Sequence, residues 1–150
     1  MTTDLDETDK AIIRELQVDG RMSYAQLAPM VGMSEAAVRQ RVNRLTERGV
    51  MSIVAVTDPR ALGYGYQAML GITVDADVAS TADKLGQIPE VEYVVVTAGR
   101  YNIMVEVVCT DAEHLLAVTS STIQTVPGVR TVETLTYLRL VKQNYDWGTM

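Results

Sequence analysis

The chain has 150 residues, 47% of them hydrophobic, and a formal net charge of −6, so it is long enough for one ordinary globular domain or two small ones. No apolar run reaches bilayer length, and the acidic start MTTDLDETDK lacks the basic and apolar regions of a signal peptide, which predicts a cytoplasmic protein with no membrane association. A single cysteine, Cys109, and a single histidine, His114, exclude an intramolecular disulfide and argue against an all-protein zinc site.

The first helix is expected from Glu7 to Val18. Ile12, Ile13 and Leu16 supply its apolar face, Asp6 and Asp9 suit its N-terminus, and Gly20 breaks it. A second helix opens on Ser23 with Gln26 three residues on, the pattern of a capping box. It carries Leu27 and Val31 inward and ends at Gly32, with Pro29 expected to shorten or bend it. A third helix starts at Ser34 and stops at Gly49. Val38, Val42 and Leu45 recur at helical spacing and face inward, leaving Ala36, Arg39, Gln40, Asn43 and Arg44 outward.

Three short helices with a tight glycine turn before the last form a helix-turn-helix, whose final helix enters the major groove at its N-terminal end. Arg pairs bidentately with guanine, and Gln or Asn with adenine, while the small Ala36 and Ala37 let the helix approach closely. The candidate DNA-binding residues are Ser23, Ser34, Ala36, Ala37, Arg39, Gln40, Asn43 and Arg44. The plainer alternative is a three-helix domain with a solvated polar face, but helix length, turn position and outward chemistry agree on DNA. The net acidity is no obstacle. Residues 39–48 hold four Arg against one Glu, and exposed charges are screened beyond about 8 Å at physiological salt. Residues 1–50 carry seven Lys and Arg against eight Asp and Glu, and residues 51–150 six against eleven, so most of the acidity belongs to the second half.

Met51 to Val56 is a β-prone run, followed by turn signals at Asp58-Pro59, Gly63 and Gly65. The expected division is residues 1–50 for DNA binding, 51–66 for a β-strand and linker, and 67–150 for a second domain. That domain reads as two similar units. AMLGITV, VEYVVVTA, NIMVEVVC and the long VRTVETLTYLRLV are strands. VASTADKLGQIP is a helix with Val78, Ala82, Leu85 and Ile88 on one stripe. DAEHLLAVTSSTIQTVP is another, with Leu115, Leu116, Thr119 and Ile123 on its stripe. Pro89 and Pro127 end the helices. The order βαββαβ is the ferredoxin-like arrangement, giving an α+β chain: an N-terminal helix-turn-helix (winged-helix-like) domain and a C-terminal ferredoxin-like domain. Val95, Met104, Val107, Leu138 and Leu140 are expected on the sheet face that the helices do not cover. That face is too apolar to be fully wet, so a homodimer through this half is inferred, matched to a palindromic DNA site.

LDETDKAIIREL, DGRMSYAQLAPMVGMSEAAVRQRVNRLTERGVM, a linker to the βαββαβ half, TAGRYNIMVEV and the closing TLTYLRLVK follow one another in a familiar order. From Leu5 to Lys142 the chain resembles the Lrp/AsnC (feast/famine) transcriptional regulators. The resemblance implies DNA binding as a dimer, assembly of dimers into tetramers, octamers or larger arrays, and an amino-acid or related effector bound where dimers meet. Similar proteins contribute a Gly-x-aromatic-Asp loop between the second and third sheet strands to that pocket. Here the loop is Gly99, Arg100, Tyr101 and Asn102. Gly99 permits close approach, Tyr101 an aromatic wall, and Arg100 a carboxylate partner, or else Arg100 lies on a solvated rim. Asn102 departs from the usual Asp and offers neutral hydrogen bonds alone. Thr134 and Thr136 on the last strand are further effector-pocket candidates. The loop also reads as an ordinary connecting turn, and threonine is at home in any strand.

No nucleophile triad, phosphate-cradling glycine loop or metal cluster is present, and Cys109 reads as a small buried hydrophobe. His114 reads as exposed or packed at an edge, with Asp111 and Glu113 favouring its helix N-terminus; Trp147 packs on a neighbour or frays. The expected function is a sequence-specific, effector-responsive transcriptional regulator with no enzymatic activity, cofactor or metal. Two alternatives stay open: an architectural DNA-compacting protein of the same fold with little ligand control, and a decarboxylase of the haem pathway, as a few similar proteins are. Against the latter, one His and no clustered ionisable groups are a poor match to a large cofactor.

Overall fold

A computed structural model describes residues 5–143 and 149. The chain divides into two compact units, Met1–Val56 with Lys142–Met150, and Thr57–Val141.

In the first unit, α1 spans Glu7–Val18, α2 Tyr24–Met30 and α3 Glu35–Glu47. Each begins on a side-chain cap. The Asp6 carboxylate accepts the Asp9 N–H at 2.7 Å, Ser23 and Gln26 form the reciprocal capping box, and Ser34 Oγ accepts the Ala37 N–H at 3.3 Å. Pro29 falls in the last turn of α2, which stops one residue later, so the proline shortens the helix. Both α2 and α3 end in a Schellman motif. Met33 N–H reaches Ala28 O and Gly32 N–H reaches Pro29 O; Val50 N–H reaches Leu45 O and Gly49 N–H reaches Thr46 O. The motif needs a left-handed residue, and Gly32 and Gly49 take φ of +68° and +67°. Ile12, Ile13, Leu16, Leu27, Ala28, Val38, Val42 and Leu45 make the core.

Residues 51–56, expected as a short strand, form none. Ile53, Val54 and Val56 are exposed. β-propensity is a preference for a pleated, half-buried surface, and among the described residues no strand pairs with this run.

In the second unit, a 3₁₀ turn at Pro59–Leu62 precedes β1 (Tyr66–Val74), α4 (Val78–Leu85), β2 (Val91–Val96), β3 (Ile103–Cys109), α5 (Ala112–Ala117) and β4 (Val129–Thr136). This is the βαββαβ order, in an antiparallel sheet with strand order β2-β3-β1-β4. Ala68, Leu70, Ile72, Ile103, Val105, Val107 and Cys109 pack on one face with Leu85, Leu115, Val118 and Ile123 from the helices.

Three expectations are corrected here. Val107 alternates with Glu106 and Val108, so it belongs with Val105 and Cys109 in the core and not on the opposite face. Leu116 is exposed, and the buried stripe runs Leu115, Val118, Ile123 instead. α5 continues as a π-helical segment, Val118–Ile123, in which Gln124 N–H donates to Thr119 O. The wider turn re-phases the apolar positions. The last strand ends at Thr136 because its ladder with β1 ends there, at the pair Ala68–Thr136. Leu138 and Leu140, expected on the open sheet face, lie past the strand and are exposed. Trp147 lies outside the described residues.

Candidate functional site

Two surfaces carry the candidate side chains, one in each unit. In the first unit, α3 presents its polar side. Ala36, Arg39, Gln40, Asn43 and Arg44 are exposed and Ala37 is half-buried. Ala37, Gln40, Asn43 and Arg44 line a shallow concavity together with Met33, Arg41 and Glu47. The hydroxyls of Ser23 and Ser34 are already occupied as caps, with Ser23 Oγ 2.8 Å from Gln26 Oε1 and Ser34 Oγ on the Ala37 N–H. Arg39 lies 5.3 Å over the Tyr24 ring and bonds Glu35 at 3.0 Å on the same helix.

Arg44 is not a free outward cation. Its Nη2 donates to both oxygens of Asp9, at 3.0 and 3.1 Å, and Asp9 is buried at 2% exposure. Asp9 Oδ1 also accepts Arg41 Nη1 at 2.7 Å, and Asp6 Oδ2 accepts the same nitrogen at 2.6 Å. The Arg41 hydrogen bond holds the Asp6 carboxyl below the usual carboxylate range, with help from the Asp9 amide, and the two carboxylates raise the Arg41 guanidinium in turn. Arg41 and Asp9 are the residues that sequence reasoning missed. One signal was available: Asp9 sits one turn before Ile12 and Ile13 on the apolar stripe of α1, where a carboxylate needs a buried cation.

In the second unit, the β2–β3 loop brings Arg100 and Tyr101 to β4. The Tyr101 hydroxyl donates to the Glu133 carboxylate, which raises the Tyr101 phenol, and Arg100 Nη2 reaches the same oxygen at 3.0 Å. The Tyr101 ring lies against Gly71 so closely that a Cβ there would stand 2.7 Å from it. Gly99 takes φ of +154°. The Asn102 side chain turns away from this group, its Oδ1 accepting the Val74 N–H at 3.0 Å where the β1–β4 register shifts. Glu133, unremarked in the sequence, is therefore the acid beside Tyr101.

The structure does not bring Thr134 and Thr136 to that cluster within the chain. They pair with Leu70 and Ala68, so they share the helix-covered face, whereas Glu133 pairs with Gly71 on the other. That other face carries Met69, Val95, Met104 and Leu135, and between them Glu106. Burial together with Glu106 pushes the Tyr137 phenol up to about 12. Cys109 is buried, and burial raises its thiol first of all. His114 Nε2 lies 3.5 Å from Glu90, and Asp111 caps α5. Among the described residues, no three His, Cys, Asp or Glu side chains are placed to hold a metal ion, and no helix is long and apolar enough to cross a membrane.

Residues 5–46 match the family model of the AsnC-type helix-turn-helix domain, and residues 67–147 that of the Lrp/AsnC ligand binding domain. The chain is 33% identical to the HTH-type transcriptional regulator FL11 of Pyrococcus horikoshii, over 97% of each chain. It is 30% identical to the regulatory protein AsnC of Escherichia coli strain K12, over 90% of this chain and 91% of that one. The fold is similar to the feast or famine regulatory protein from M. tuberculosis complexed with L-methionine, with a TM-score of 0.85 at 30% identity, covering 97% of this chain and 100% of the other. Helix-turn-helix, four-stranded antiparallel domain and both family matches agree in order and extent: the chain belongs to the Lrp/AsnC family of transcriptional regulators.

Proposed function

We propose that this regulator reads a two-fold symmetric DNA site with the exposed side of α3 and changes its affinity or assembly when an amino acid or a related metabolite binds beside the Gly99–Asn102 loop. The observation that carries the reading is the convergence of Gln40, Asn43 and Arg44 on one exposed surface of α3, the three side chains suited to base edges. Arg39, Ala36 and Ala37 flank them. Ser23 and Ser34 serve by fixing where the helices start, and their amide-rich N-termini suit phosphate.

The effector reading is supported by Arg100 and Glu133, opposite charges 3.0 Å apart beside the Tyr101 ring. A zwitterion exchanges partners with such a pair, its carboxylate taking Arg100 and its ammonium Glu133. The methionine complex of the Mycobacterium relative favours an amino acid over other small molecules. Dimers through the helix-free sheet face would pair two copies of α3, and contacts between dimers would complete the effector pocket, which leaves Thr134 and Thr136 a place in it from a neighbouring copy. A regulator without enzymatic activity is the reading that the names of its relatives support, and a DNA-binding domain suits the cytoplasm.

The test is selection of duplexes from a randomised pool, followed by affinity at several salt concentrations. Arg39→Ala and Arg44→Ala should each lose about 1–3 kcal/mol on a selected duplex. A panel of amino acids should then shift Tm, as a ligand bound at a hundred times its Kd adds about 2.7 kcal/mol. Gly71→Ala, which drives the Tyr101 ring off Glu133, should abolish that shift. Enrichment of no duplex sinks the reading. DNA binding with no shift across the panel favours an architectural role.

A further inference from the structure

We propose that Asp9 is a positioning residue for DNA reading: it clamps Arg44 as an oriented donor on α3 and, with Asp6, neutralises Arg41 beside it. The inference rests on α3 being the recognition helix and adds how its charge is apportioned.

The clamp follows from burial and geometry. Asp9 lies on the apolar stripe of α1 among Ile12, Ile13 and Leu16, and taking a carboxylate out of water is costly unless its oxygens are fully paired. Arg41 and Arg44 together occupy both its oxygens. They are not equivalent. Arg41 is held between Asp6 and Asp9, and its side chain is 23% exposed. Arg44 leans on Asp9 alone through Nη2, and its side chain is 49% exposed. The first is neutralised by two acids. The second is tethered through Nη2 and, half-exposed, lines the concavity together with Gln40 and Asn43.

A free arginine carries about 2 kcal/mol of rotamer entropy, which a base contact must overcome; one already held gives up less. A free arginine also serves any phosphate equally well, whereas a tethered one rewards the correct base. The clamp thus lowers the sequence-independent part of binding and raises the preference for the right site.

The experiment uses the full chain, a duplex enriched by the wild-type protein from a randomised pool, and an unselected duplex of equal length. Affinity for both is measured across salt, with Tm alongside. Asp9→Asn keeps the shape and removes the charge. The preference for the selected duplex should fall about tenfold or more, as for a lost base contact. The slope of log K against log salt should steepen by about one unit as Arg44 becomes a free cation, Arg41 remaining paired with Asp6. A merely structural role would weaken both duplexes together and leave their ratio unchanged. Arg44→Lys, which keeps a cation beside Asp9 and is compared at a temperature below its own Tm, should lose the preference at the wild-type slope. Adding it to Asp9→Asn should cost little more, since both remove the same contact. Asp6→Asn, which still caps α1, should keep the preference within a factor of about three. An unchanged preference in Arg44→Lys, or in Asp9→Asn folded at the assay temperature, overturns the clamp. Enrichment of no duplex by the wild-type protein instead overturns the recognition-helix reading.

Discussion

Asn102 shows how a single side chain can sit in a candidate effector loop and do local work. Its Oδ1 completes the hydrogen bonding of Val74, and its own N–H donates to Ile72 O at 2.9 Å, so it ties the β2–β3 loop to the end of β1. Asn102→Ala leaves the Val74 amide without its partner and should destabilise the domain by about 1–3 kcal/mol in urea unfolding. Asn102→Asp keeps the acceptor and should be close to neutral; a large loss there would show that the amide nitrogen matters. Asp6 makes a second test, by pH. Its folded-state carboxyl lies below the ordinary value of 3.8, first because Arg41 donates to it. A depressed carboxyl contributes stability that is present above the unfolded value and lost as pH falls through the folded one. Acid unfolding of Asp6→Asn should therefore show a shallower loss of stability below about pH 4. Because Asp6 is exposed, the difference should shrink in high salt.

At the scale of elements, ends and phases decide most of the architecture. Gly32 and Gly49 end two helices in left-handed geometry, and a Cβ at either position would meet nothing within 4 Å. The cost of a side chain there is therefore conformational alone. Gly49→Ala should lower stability by about 1–2 kcal/mol, measured by thermal or denaturant unfolding, with the core unchanged. Helix spans and caps were legible in the sequence because each depends on residues within four or five positions. The stripe of α5 was not, because a π-helical turn changes the period and leaves no mark in composition. β4 was read too long for a related reason. A strand ends where its ladder with a neighbour ends, and the β-prone run Thr136–Val141 does not carry that information.

For the whole molecule, the helix-free sheet face is the surface that would convert one DNA-reading helix into two. Met104 stands between Gly71 and Val95 on that face. Met104→Glu should yield monomers in sedimentation, lose most affinity for a two-fold symmetric duplex, and leave the helical content of the first unit intact. A dimer persisting in this variant would move the interface elsewhere. An unpaired carboxylate added at such an interface would be buried at a cost that apolar contact does not offset.

What the sequence by itself determined was local or periodic: three capped helices with a tight turn before the third, the βαββαβ order, and the polar side of α3. Caps, glycine stops and alternation act over a few residues, and the chain spells them out in order. What only the tertiary structure decided was which of those residues are free to act. Arg44 looks like an outward cation until Asp9, 35 positions earlier, takes its Nη2. Glu133 looks like one more strand residue until the loop ending at Asn102 folds over it. Thr134 and Thr136 go to the opposite face from Tyr101 by the register of β4 on β1. Charge pairing and sheet register are relations between segments far apart in the chain, and they exist only once the segments have packed.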